Sequence, residues 1–189
     1  MGLHPSAPYS LVEAEKAGAV ERVCRTRISE CSQALAALAT LGVDDARSYN
    51  TLLATYDIPD LLRLAGEALR GTLLQRFRHV ITESRPVSQA EEALRVQDSA
   101  AFGHLMFDSH NSLTHDFEVS HPALDRLVEI CATNGAHGAR LTGAGFGGSI
   151  VALCSAQTTD SLVEALKHEY YAPLHCDVDN SPVPCLKAQ

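Results

Sequence analysis

Gly138-Ala139-Arg140-Leu141-Thr142-Gly143-Ala144-Gly145-Phe146-Gly147-Gly148-Ser149 runs directly into the apolar stretch Ile150-Val151-Ala152-Leu153-Cys154. The apolar stretch has the length of one buried strand, and glycines alternating with small or aromatic residues ahead of it bring the backbone close to something. Two readings follow. Lacking Cβ atoms, the loop exposes backbone N–H groups, which is how phosphate cradles are commonly built. It equally suits a tight hairpin or bulge between two core strands. Gly143, Gly145 and Gly148 satisfy G-x-G-x-x-G, but the dinucleotide fingerprint requires a helix directly after the glycines, and residues 149–154 read as a strand. No Lys-Ser or Lys-Thr pair follows, which excludes a Walker-type loop.

Around the loop, Pro122 sits in the first turn of a helix over residues 124–132, which Asn134-Gly135 ends. Residues 140–142 and 150–154 read as strands, 160–171 as a helix, and 174–178 with 183–186 as a closing hairpin. That order implies an antiparallel sheet with helices on one face. Upstream the texture is helical. Val20, Val23, Cys24, Ile28, Cys31, Leu35 and Leu38 recur at helical spacing within residues 11–41, with Gly42 as the stop. Asp44 and Asp45 start a short second segment, residues 49–56 pack before Pro59 punctuates them, and helix resumes over 60–69 and on to Ser84. Pro86 begins a helix, and Asp98 or Ser99 caps the next, over 102–113. Residues 1–10, with Gly2, Pro5 and Pro8, read as an irregular lead-in. The expected class is α+β, a helical bundle followed by a small antiparallel sheet.

A chain of 189 residues with 46% hydrophobic composition can bury a real core, as one domain or two small ones. Lys+Arg 15 against Asp+Glu 23 gives a net charge of -8, so phosphate backbones and anionic membranes are repelled and neither is an expected partner. No apolar run approaches the roughly 20 residues that span a bilayer and no leader pattern opens the chain, so a soluble, cytoplasmic protein is expected. The six cysteines form no C-x-x-C, which signals neither a zinc cage nor a redox pair.

His104, Asp108, His110, His115, Asp116 and His121 are the densest titratable cluster, and a metal site is the sharpest reading of it. The spacing argues instead for a polar helix face plus a loop, since neither H-E-x-x-H nor a compact three-ligand set appears, and we assign no metal ligand. Asp116, Glu118 and Ser120 can be read as acid, base and nucleophile, or as a capped loop before Pro122; the second is the simpler account. His79 and Glu83, one helical turn apart, read as a surface pair. No catalytic residue is assigned.

Three segments taken together are more specific. These are Arg78-His79-Val80-Ile81-Thr82-Glu83; then Phe102-Gly103-His104-Leu105-Met106-Phe107-Asp108-Ser109-His110-Asn111-Ser112-Leu113 with Asp116-Phe117-Glu118-Val119-Ser120; then Arg140 to Gly148. In order and spacing they resemble the C-terminal half of galactokinases, members of the GHMP small-molecule kinases. The resemblance runs from about Arg27 to the end and is strongest between Arg76 and Cys154.

It implies a GHMP kinase C-terminal domain, ferredoxin-like, over residues 1–189. For the complete enzyme it implies ATP-dependent phosphorylation of galactose at the anomeric hydroxyl, with ATP and Mg2+ as cofactors. By the same resemblance Arg140, Thr142, Gly143, Ala144, Gly145, Phe146, Gly147 and Gly148 form a loop beside the active site. The family's catalytic aspartate, ATP loop and sugar signature belong to the N-terminal half, and no stretch here resembles P-x-G-x-G-L-S-S-S or G-R-x-N-L-I-G-E-H. The chain alone is therefore expected to be inactive, with the missing half or a second copy as its partner. Where the family has a tyrosine near the sugar, this chain has Cys24, and Thr114-His115 stands where Arg-Asp is common. These departures keep open another sugar, such as N-acetylgalactosamine, and a non-catalytic sensor or interaction module.

Overall fold

A computed structural model describes residues 3–13, 17–40, 43, 46–84, 86–175 and 186–187. The chain divides into two compact units, one of residues 16–88 and 111–118, the other of 1–15, 89–110 and 119–189.

The helical unit contains α1 (Ala17–Thr40), α2 (Tyr49–Thr55), α3 (Ile58–Ala68) and α4 (Gly71–Ser84). Its core pairs Ala34 with Leu38, Leu61 with Ala65 and Phe77 with Ile81, all fully buried. Each pair is spaced i, i+4, so α1, α3 and α4 each present one apolar stripe to the same interior. Burying a side chain such as Phe77 contributes about 1.5–3 kcal/mol. Ser48 caps α2 by accepting the Thr51 N–H at 3.1 Å. α2 ends at Thr55, ahead of Pro59 as expected, and Pro59 lies in the first turn of α3, where its fixed φ and missing donor are both tolerated. Gly42, Asp44 and Asp45, expected to stop one helix and start the next, lie outside the described residues.

In the other unit lie most of α5 (Pro86–Arg95), the first part of α6 (Ser99–His115), α7 (Pro122–Thr133) and α8 (Ala156–Leu166), together with β1 (Leu3–Ala7), β2 (Gly138–Leu141), β3 (Ile150–Ser155) and β4 (Leu186–Lys187). The sheet is antiparallel in the order β2-β3-β1-β4, the ferredoxin-like order implied by the resemblance. Leu141 faces Ile150 across the first pair, and Ser6 faces Ala152 across the second. α7 packs on β2 and β3, α8 on β3 and β1, and the two helices pack on each other, so both cover one face of the sheet. Between them Leu124, Leu127, Ile130, Leu162 and Leu166 are fully buried over Ala139, Ile150, Ala152 and Cys154. Asp98 caps α6 by accepting the Ala101 N–H at 2.9 Å.

The N-terminal segment departs from expectation. It is an inner strand, β1, and Leu11, at φ 60, starts no helix. Pro5 is compatible because Pro8 O accepts the Ile150 N–H at 3.0 Å. In an antiparallel ladder that alternation points the donor position of Pro5 away from β3. Tyr170 and Tyr171, in a π-helical turn (Lys167–Tyr171) that continues α8, donate their hydroxyls to Ser10 O at 2.6 Å and Tyr9 O at 2.8 Å. The expected hairpin over 174–178 and 183–186 falls mostly on residues 176–185, which lie outside the described residues; Leu174 closes a 3₁₀ turn (Ala172–Leu174), and Leu186–Lys187 pairs with β1.

α6 and β2 meet through glycine. A Cβ built on Gly103 would lie 1.8 Å from His137 O, and one on Gly138 would lie 2.4 Å from Gly103 O. Backbone touches backbone here.

Candidate functional site

The glycine-rich loop joins β2 to β3, and its ends are fixed by the ladder, where the Thr142 N–H donates to Ser149 O at 3.1 Å. Its middle is tied to Val119: the Phe146 N–H donates to Val119 O at 2.8 Å, and a Cβ on Gly145 would lie 1.9 Å from the same oxygen. Gly145 also has φ +84, so both space and backbone conformation require glycine there. Phe146 follows in the left-handed region at φ 60, which for a bulky residue costs about 1 kcal/mol or more and persists because its amide is held. The far end is clamped to the N-terminal segment, Gly148 N–H donating to Val12 O and accepting at its carbonyl from Ser10 N–H, both at 2.8 Å.

These ties leave an exposed tip. Thr142, Gly143 and Ala144 are exposed, whereas Gly145 and Gly147 are buried. Among the described residues the backbone N–H groups of Gly143 and Ala144 have no acceptor. Two adjacent exposed amides on a pinned backbone can donate to an anion without any reordering of the loop. Arg140, half-buried, turns back to donate from Nε to Leu141 O at 3.3 Å. All eight residues singled out from sequence thus lie in one continuous segment. Cys24 is in the helical unit, half-buried on α1.

The titratable cluster is dispersed. His104, Asp108 and His115 are exposed, while His110 is buried, its Nδ1 accepting the Leu141 N–H at 3.3 Å and its Nε2 lying 3.2 Å from Asp125 Oδ1. Ser120 Oγ donates to that same Asp125 oxygen, and His121 Nδ1 accepts the Ala123 N–H at 3.1 Å as the cap of α7. Among the described residues no three His, Cys, Asp or Glu side chains stand together for a metal.

Asp116 and Glu118 serve a different centre, within the helical unit. Arg76 on α4 is fully buried; its Nε donates to Glu30 at 2.6 Å, its Nη1 to Asp116 O and its Nη2 to Glu118 Oε2, each at 2.5 Å. Arg27 adds a contact to Glu30 at 3.2 Å, and Arg78 one to Asp116 at 3.1 Å. The reading of Asp116, Glu118 and Ser120 as acid, base and nucleophile gives way to ion pairing for the two acids and a hydrogen bond to Asp125 for Ser120. His79 is likewise buried rather than a surface residue, bonded through Nδ1 to Ser112 Oγ at 2.9 Å and stacked on Phe117 at 4.2 Å between centroids. Sequence reasoning missed Arg76, although it lies in the apolar row of Leu73 and Val80 at i, i+3 and i+4 spacing, where a cation demands buried acids.

Burial pushes the Glu30 carboxyl up, but the hydrogen bond and charge of Arg76, with Arg27, outweigh it and hold Glu30 below its ordinary value. A lowered folded value stabilises above the ordinary glutamate value of about 4.3, and that contribution disappears as pH falls through the folded value. For Asp116 burial prevails over Arg78, His115 and Arg76, so its carboxyl is raised and acid relieves it. We expect Glu30→Gln to lower Tm at pH 7 yet lose less Tm than the parent between pH 5 and pH 3, read by thermal melts. An equal acid loss in both proteins would remove Glu30 from the account.

Residues 90–172 match the family model described as GHMP kinases C terminal. These residues carry a GHMP kinase C-terminal domain. The chain's relatives there are galactokinases: it is 35% identical over 159 residues to that of Clostridium beijerinckii, covering 82% of this chain and 39% of that protein. It is 46% identical over 97 residues to that of Homo sapiens, covering 51% and 25%. The chain thus spans well under half the length of these curated relatives. Among solved structures, Lactococcus lactis galactokinase complexed with galactose superposes with a TM-score of 0.77 at 25% identity, over 93% of this chain and 43% of that one. L. major mevalonate kinase in complex with R-mevalonate gives a TM-score of 0.54 at 26% identity, over 89% of this chain and 39% of that one. No described helix is long and apolar enough to cross a membrane.

Proposed function

We propose that this chain supplies the glycine-loop wall of a galactokinase-type site, in which the complete enzyme transfers the γ-phosphoryl group of ATP to the anomeric hydroxyl of galactose. The observation that supports it most is the loop tip, where Gly143 and Ala144 offer exposed amides on a backbone pinned at Ser149, Val119 and Val12, in a chain whose relatives are named galactokinase. The amides suit a phosphate oxygen, whose charge they would meet with two fixed donors. Bound ATP supplies the phosphoryl group, and Mg2+ neutralises its charge. The described residues offer no carboxylate set for that metal, so its ligands are assigned to the other half of the enzyme. Phe146, through its amide on Val119, and the buried Gly145 and Gly147 hold the tip in place.

Cys24 takes the sugar-proximal position on this reading. A thiol lacks the stacking face and the strong hydroxyl of a phenol, so N-acetylgalactosamine belongs in the assay beside galactose. The partner is a domain carrying the catalytic half, or a second copy, and the compartment is the cytoplasm.

The test is calorimetric titration of the purified chain with Mg-ATP, with and without each sugar, beside an ATP-turnover assay and amide spectra of the loop. We expect no sugar-dependent turnover, and shifts at Gly143 and Ala144 only at high nucleotide concentration. Turnover by the chain alone overturns the incomplete-site reading; saturable binding without turnover overturns it in favour of a sensor; unmoved Gly143 and Ala144 amides count against the cradle.

A further inference from the structure

Among the described residues β2 is an edge strand, and one row of its backbone donors has no strand partner there. Thr142 N–H faces Ser149 of β3, and by the alternation of the ladder Leu141 N–H points away from it. That donor, the last before the exposed loop tip, is taken by a side chain, His110 Nδ1 on α6, at 3.3 Å. A ring nitrogen that accepts an N–H carries no proton, so the neutral imidazole must hold its proton on Nε2, which faces Asp125 Oδ1 at 3.2 Å. Asp125 in turn accepts from Ser120 Oγ. Ser120 follows Val119, whose carbonyl holds Phe146 and leaves no room for a Cβ at Gly145.

The relay therefore begins beside one anchor of the loop and ends at the other. We propose that His110, locked by Asp125 in its Nε2–H tautomer, is the positioning residue of the glycine-rich loop: it sets the Leu141 end, and through Asp125 and Ser120 it couples that end to the Val119 anchor. His110 acts on the loop through Leu141. Asp125 sets which nitrogen accepts, as a carboxylate behind a histidine does in metal and catalytic sites. The opposite tautomer would put an N–H against the Leu141 N–H, and the loop would lose its inner tether. The bearing of this device on phosphoryl transfer rests on the function proposed above; the device itself does not.

The test uses the full chain, labelled with 15N. The imidazole spectrum of the parent should show Nδ1 unprotonated and Nε2 protonated at His110; the reverse assignment overturns the proposal outright, with no variant needed. Asp125→Asn can offer an N–H to Nε2 and should shift the ring toward the Nδ1–H form, raising the hydrogen-exchange rates of the bonded amides of Leu141, Phe146 and Gly148 by about tenfold, as loss of one ordinary hydrogen bond implies.

His110→Leu should do the same, whereas His110→Asn, whose Oδ1 can stand near Nδ1, should keep exchange within about threefold of the parent. Equal protection in the parent, Asp125→Asn and His110→Leu overturns the coupling, as does failure of His110→Asn to restore what His110→Leu loses. If His110→Leu does not fold, the parent tautomer and the Asp125→Asn exchange rates decide. None of these readouts involves nucleotide, so a failed titration with Mg-ATP would sink the functional reading and leave this one standing.

Discussion

Gly103→Ala should unfold the sheet unit at far lower temperature than the parent, although alanine is the best helix former and glycine in a helix interior normally loses to it by about 1 kcal/mol. The added methyl would sit 1.8 Å from His137 O, 2.2 Å from His137 C and 2.9 Å from Gly138 N. None of these atoms belongs to a side chain that can turn aside. Relief requires α6 to lift from β2, which opens the packing around Met106 and withdraws His110 from Leu141. Overpacking costs 1–3 kcal/mol where side chains can adjust and more where only backbone can move. We expect about 3 kcal/mol or more, a fall of about 6–12 °C in Tm for a chain of this size. Gly66→Ala in α3, where a Cβ meets nothing within 4 Å, is the control and should be neutral or stabilising. Equal melting of Gly103→Ala and the parent would show that α6 and β2 are not in contact.

Arg76→Ala should cost about 3–5 kcal/mol, the loss expected when one member of a buried ion cluster is removed and its partners remain charged. Arg76 satisfies Glu30, Glu118 and the Asp116 carbonyl at once. Burial alone would lower its basicity, but its bonds to Glu118 and Glu30 raise it, and the guanidinium stays charged. A lysine has one point charge for three acceptors, so Arg76→Lys should recover only part of the loss. Arg76→Met with Glu30→Gln should be more stable than Arg76→Met alone, because the less exposed carboxylate is no longer left with Arg27 as its remaining cation. Urea titration of the four proteins measures this. A loss below about 1 kcal/mol for Arg76→Ala would place the cluster among ordinary surface ion pairs.

Periodicity made most helices legible, because Leu38, Leu61, Phe77 and Leu127 sit in stripes that a helix brings to one side and nothing else does. The loop was legible for a different reason: four glycines within six residues, ahead of a buried strand, have few local uses. β1 was not legible. A five-residue segment with Pro5 shows no alternation strong enough to announce a strand, and its partner lies about 150 residues later in the chain, at Ala152 to Ser155.

The buried His79 and His110 were read as surface groups, and Arg76 was missed, for a related cause. His79, Arg76 and His110 carry the composition of a solvent face, and what makes each tolerable inside is an acceptor or donor from a distant segment: Ser112, Glu118 and Leu141 respectively. Local chemistry settled which residues form helices, where the turns fall and that the backbone at Gly143 to Gly148 must come close to something, since these depend on neighbours within a few positions. The partner of β1, the charge cluster at Arg76 and the histidine beneath the loop were decided only in the folded chain, because burial and pairing depend on which remote residues the topology delivers.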